Sequence, residues 1–203
     1  MTYSTTSLFL VASLVLLLSC GGKSTNSNTV QQSANAEQAQ ANATDASAAN
    51  PHTSQQNPPA GQEPAKSIPD FAFYVLKSGI RFEKSNMGTG DKQVFILFDP
   101  SCSFCQHEAA DISKNFDKLK NIDFYFISMN DPALMSTFFD RFAPNLNGKD
   151  NVQMLYDRNI DFVNKFHVPT QYPATYIYNK QGLLQAYWNG VKSESELLSA
   201  LLN

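Results

Sequence analysis

Apolar and polar positions fall into three regimes along the 203-residue chain. Leu8 to Leu18 (LFLVASLVLLL) is a run of eleven residues broken only by Ser13. Such a run is long enough for the core of an export signal and well short of the ~20 apolar residues a membrane-spanning helix needs. From 21 to 60, Ala, Asn, Gln, Ser and Thr fill 30 of the 40 positions and Val30 is the only branched aliphatic residue. With so little to bury, this stretch cannot offset the entropy lost on ordering, which predicts a disordered linker over 21–69. A flexible coil of about 45 residues spans ~35–40 Å, so the linker gives the folded part reach. From Phe71 onward the chain holds 22 of its 24 aromatic residues, and a domain over 70–203 is predicted there.

Within that domain the hydrophobic period alternates between strand and helix. Phe71–Leu76 and Ile80–Phe82 flank Lys77-Ser78-Gly79 and predict a strand pair with a glycine turn. Gln93–Phe98 (QVFILF) is a continuous apolar run, as in a strand covered on both faces. Cys105, Ala109, Ile112, Phe116 and Leu119 then follow at spacings of four, three, four and three, one stripe of a helix with Ser101 at the N-cap position. Ile122–Met129 returns to strand, and Asp131-Pro132 opens a helix to about Phe142. Val152–Tyr156 is a short strand, Asp157 caps a helix through Phe166, and Thr175–Tyr178 and Leu183–Trp188 are strands around the Lys180-Gln181-Gly182 turn. A last helix runs from Ser193 to Leu202. Strands alternating with helices predict an α/β sandwich, its sheet parallel in the centre with an antiparallel edge.

Charge and cysteine usage narrow the function. Fifteen Lys and Arg stand against 18 Asp and Glu, a net charge of −3 with no basic block, which excludes the electrostatic footprint of nucleic-acid binding. Three cysteines cannot staple a domain of this size, and their odd number requires one in a role other than pairing. Cys102 and Cys105 lie where a buried strand hands over to a helix. The positive end of that helix favours a thiolate at Cys102, the expected nucleophile, and Cys105 lies one turn further in, within reach of a mixed disulfide on Cys102, as the resolving thiol. A permanent bridge across so short a segment would constrain little of the unfolded chain. Zinc wants four ligands, and there is no second cysteine pair and only His52, His107 and His167, so no metal is assigned. His107, five residues after Cys102, is expected to face solvent.

Leu17-Leu18-Ser19-Cys20-Gly21 resembles the lipobox of bacterial lipoproteins. That resemblance implies a signal peptide over 1–20, a lipidated Cys20 as membrane anchor and a place in the cell envelope; Gly21 in place of Asp favours the outer membrane facing the periplasm.

Phe98-Asp99-Pro100-Ser101-Cys102-Ser103-Phe104-Cys105 and the later Tyr172-Pro173-Ala174-Thr175-Tyr176-Ile177 with Gly182 resemble the active-site and cis-proline segments of the thioredoxin superfamily, in particular its exported TlpA-like branch. The likeness covers Phe71 to Asn203. It implies a thioredoxin-like sandwich with a mixed central sheet flanked by helices and an extra strand and helix between the cysteine pair and the proline. It also implies that Pro173 is cis, that Tyr172 and Pro173 form a docking edge for substrate, and that the redox-active disulfide Cys102–Cys105 serves without a further cofactor. Ser101 stands where the family has tryptophan, and Ile96 where thioredoxins place a buried aspartate. Glu108 is the candidate for the missing acid: three residues after Cys105 on a helix, it can take that thiol's proton, and burial should raise its pKa. The function implied is an extracytoplasmic, monomeric thiol–disulfide oxidoreductase acting on protein thiols and disulfides, as a reductant, supplied by an upstream electron donor in the membrane. A DsbC-like isomerase and a non-catalytic binding or Cu(I)-carrying lipoprotein on the same scaffold stay open. Neither cysteine has the Pro-x-x-x-Thr/Ser-x-x-Cys context of peroxiredoxins. Asp99 is read as a turn residue, and Trp188, Phe138 and Phe139 as core.

Overall fold

The computed structural model describes residues 62–203. The export segment, Cys20 and most of the linker lie outside these residues. Seven strands form one sheet in the order β2-β1-β5-β4-β3-β6-β7: β1 Ala72–Val75, β2 Arg81–Glu83, β3 Lys92–Leu97, β4 Ile122–Ser128, β5 Val152–Tyr156, β6 Ala174–Asn179 and β7 Leu184–Asn189. The helices are α1 Ser103–Lys114, α2 Pro132–Met135, α3 Phe138–Phe142, α4 Asp161–Lys165 and α5 Glu194–Leu202.

The predicted α/β sandwich is present, with a difference at its margins. β3, β4 and β5 run parallel, but antiparallel pairs close both sides rather than one: β6 and β7 beyond β3, and the β1–β2 hairpin beyond β5. The hairpin turns at Gly79, whose φ of 67° suits a residue without Cβ. Between α1 and Pro173 the chain carries β4, α2, α3, β5 and α4.

Because successive side chains of a strand point to opposite faces, β3 and β4 feed two cores. Val94, Ile96, Phe124 and Phe126 join α1, α3 and α5 on one face, while Phe95, Leu97, Tyr125 and Ile127 join Phe71, Phe73 and Phe166 on the other. The α1 stripe is buried along its whole length, but the helix ends at Lys114, and Phe116 and Leu119 reach the core from the 3-10 turn that follows.

Three local readings change. The helix expected from Asp131 to Phe142 is split, because the Ser136 hydroxyl donates to the Ala133 carbonyl and Thr137 leaves helical geometry, which turns Phe138 and Phe139 inward. Asp157 caps α4 from four residues ahead, accepting from the amides of Asp161 and Phe162. The packed chain also begins before residue 70: Ile68 is buried, and Ala65, Lys66 and Ile68 exchange backbone hydrogen bonds with Phe166, Leu184 and Gly182.

Candidate active site

β3 ends at Leu97, and Asp99-Pro100-Ser101 makes the turn into α1. The Asp99 carboxylate accepts from both the amide and the hydroxyl of Ser101. Burial opposes its charge, yet these bonds and one from Asn130 together hold its pKa below the ordinary value. Ser101 is therefore spent on the turn, and the N-cap of α1 is Cys102 itself. A sulfur in place of a capping oxygen leaves the first amides of the helix without a side-chain acceptor, so their partial positive charge falls on the cysteine end.

Cys102 is half-buried, Cys105 is 2% exposed, and both are thiols. The Cys102 thiol donates to the backbone carbonyl of Tyr172 at 3.8 Å. The Tyr172–Pro173 peptide is cis and Pro173 is buried. This loop thus lies against the outer sulfur, and Phe104, 53% exposed, stands on the open side. Burial pushes the Cys105 thiol up, Cys102 and Glu108 add to this, and the Asp99 backbone amide opposes it. The inner sulfur therefore holds its proton more firmly than a free thiol.

Glu108 is the nearby acid whose charge bears on that thiol. It is 1% exposed beneath Cys105, and its Oε1 accepts from the Thr175 hydroxyl at 2.5 Å. Burial pushes its pKa up to about 7, against the pull of the Thr175 hydroxyl and the Trp188 indole; Asp111 adds a smaller push and Lys192 a smaller pull. The indole faces the carboxylate but falls short of hydrogen-bond geometry, so Glu108 Oε2 and Trp188 Nε1 are both buried without a partner. Thr175 and Trp188 were not foreseen. Thr175 pairs across the ladder with Ile96 on β3 and with Trp188 on β7. The three make one row under α1, and the acid absent at Ile96 enters the same row from the helix above.

The other candidates sort themselves by place. His107 is exposed. His167 bonds through Nδ1 to the Tyr176 hydroxyl in the opposite core. Among the described residues no group of three His, Cys, Asp or Glu is placed to hold a metal. Cys20 lies outside them.

A family model described as AhpC/TSA matches residues 64–187. The chain belongs to the AhpC/TSA family. Solved structures place this member in the thioredoxin fold. A secreted disulfide oxidoreductase of Mycobacterium tuberculosis, homologous to E. coli DsbE, is 26% identical with a TM-score of 0.53 over 64% of this chain and 93% of that one. An exposed lipoprotein thioredoxin of Streptococcus pneumoniae is 16% identical with a TM-score of 0.51, over 66% and 98% of the two chains. A peroxiredoxin-like protein of Aquifex aeolicus is 15% identical with a TM-score of 0.51, over 71% and 88%. No curated protein matches the chain by sequence. A redoxin-type member of this fold with an outer and an inner thiol at the head of its first helix has the site of a thiol–disulfide oxidoreductase.

Proposed function

We propose that the protein is an extracytoplasmic reductant of protein disulfides, held to the bacterial envelope through lipidated Cys20, with the linker setting the reach of the domain. The observation that carries the chemistry is the asymmetry of the pair: a half-buried Cys102 at the helix start, and a buried Cys105 above an acid of near-neutral pKa. The envelope location takes its support from the apolar run before Cys20 and from the secreted and surface-exposed proteins among the similar structures.

The Cys102 thiolate attacks a substrate disulfide and expels one substrate thiolate, leaving a mixed disulfide. The substrate strand lies along the backbone of Tyr172 and Pro173. Cys105 passes its proton to the Glu108 carboxylate, and its sulfur attacks Cys102. The second substrate thiolate leaves, and Cys102–Cys105 carries away the two oxidising equivalents. A membrane electron donor then restores the dithiol, and the domain works as a monomer.

Purified reduced protein should cleave the interchain disulfides of insulin. The Cys102→Ser variant should be inactive, and Cys105→Ser should accumulate a mixed disulfide with the substrate. Full activity in the Cys102→Ser variant would overturn the reading.

A further inference from the structure

Behind Cys105, Glu108 Oε2 and Trp188 Nε1 are buried polar atoms without partners. Burying an indole N–H and a carboxyl oxygen without partners costs stability at both atoms, yet they face each other. We propose that Thr175 and Trp188 are positioning residues for the resolving step: the threonine hydroxyl fixes one oxygen of Glu108, and the Trp188 indole N–H donates to the other only while that carboxyl is ionised. This rests on the reading of Cys102 and Cys105 as a redox pair.

The geometry follows from the ladder. Thr175 and Trp188 are direct cross-strand neighbours on β6 and β7, so their Cβ atoms stand ~5 Å apart on one face of the sheet. Glu108 descends from α1 onto that pair. Thr175 Oγ1 is already bonded to Oε1, which leaves Oε2 as the oxygen free to gain and lose a proton. A protonated oxygen is a weak acceptor and leaves the indole idle, whereas a carboxylate oxygen accepts strongly. When ionised Glu108 takes the Cys105 proton, the indole bond is given up. Cys105 attacks Cys102 as the substrate thiolate departs, and release of the proton to solvent restores the bond. The charged groups that bear on the carboxyl are Asp111 on its own helix, which disfavours ionisation, and Lys192 after β7, which favours it. The Lys192 ammonium lies 5.2 Å from the centre of the Trp188 ring, so it also steadies the indole from outside.

Trp188 is the only tryptophan in the chain, so its indole N–H gives a single resonance. In the full reduced chain labelled with 15N and with 13C-carboxyl glutamate, that resonance should move downfield as pH rises, with the same midpoint as the Glu108 carboxyl carbon; Glu108→Gln, which identifies the carbon signal, should abolish both movements. Thr175→Val and Trp188→Phe should each raise the Glu108 midpoint by roughly one pH unit, the scale of a hydrogen bond to a charged group. The pH profile of thiol release from a preformed mixed disulfide should move with it. Lys192→Gln should raise the midpoint by a few tenths of a unit. An indole resonance indifferent to the Glu108 titration overturns the proposal without any variant, as do unmoved midpoints in folded Thr175→Val and Trp188→Phe proteins. The titrations need no disulfide substrate, so a failure of insulin cleavage would sink the redox reading while the indole and carboxyl signals report on their contact independently.

Discussion

Two buried acids, Glu108 and Asp157, are each 1% exposed and are housed in opposite ways. Asp157 accepts from the amides of Asp161 and Phe162 at 2.9 and 2.8 Å, both within the next turn of its own chain. Burial raises its pKa, and those amides offset part of the rise. Glu108 has a single hydrogen bond, from a residue 67 positions away, and one bare oxygen, and burial pushes it up to about 7. An acid bonded to backbone amides is part of the scaffold, since its donors cannot move without unfolding α4. An acid gripped by side chains of another element and left one donor short keeps its proton near neutrality, where it can be exchanged.

Variants separate these two uses. The largest effect should fall on Glu108→Gln, which should slow release of thiol from the mixed disulfide by ~100-fold, the scale of a lost general acid or base. Its stability should move the other way. Folded Glu108 holds its proton up to about 7, whereas the unfolded chain releases it near 4.5. The folded state therefore binds more protons between those values, and wild-type stability falls as pH rises through that window. The loss is on the order of 3 kcal/mol above pH 7, and urea titrations from pH 4 to 8 should show the wild-type midpoint falling towards or below that of the flat variant. Asp157→Ala should cost ~2 kcal/mol at any neutral pH by stranding two buried amides, with the rate per folded molecule unchanged. Relief of strain at Ile160, a β-branched residue at φ 53° that these bonds hold in place, offsets part of that loss. The smallest effect belongs to Ser101→Ala: its hydroxyl serves the exposed Asp99 turn and not the helix cap, so the urea midpoint should shift by less than ~0.5 kcal/mol equivalent.

Period and punctuation made much of this legible. β5 occupies Val152–Tyr156, the short strand expected there, and Ser193 with Glu196 forms the capping box that starts α5. The cysteine pair could be placed on the helix start because the apolar run before it and the stripe after it have different periods. Glu108 was reachable because three residues along a helix is a local relation. Its partners were not, since Thr175 and Trp188 come under it only through the pairing of β6 with β3 and β7, which no local pattern encodes. Trp188 reads as core by composition and is buried as such, but its nitrogen is what matters at the site. The hairpin's place beside β5 was hidden for the same reason, as strand order is set by long-range contacts. The break at Ser136 was hidden by a side-chain bond that competes with the helix.

The strap from Ala65 to Ile68 bears on how the domain resists force. Ser67 bridges to Leu183, Lys66 accepts from Leu184, and the Ala65 carbonyl takes the Tyr178 hydroxyl. A pull applied at the amino-terminal side meets these fastenings before it reaches β1. Tension from upstream would therefore peel the strap before it unravels the β1–β2 hairpin.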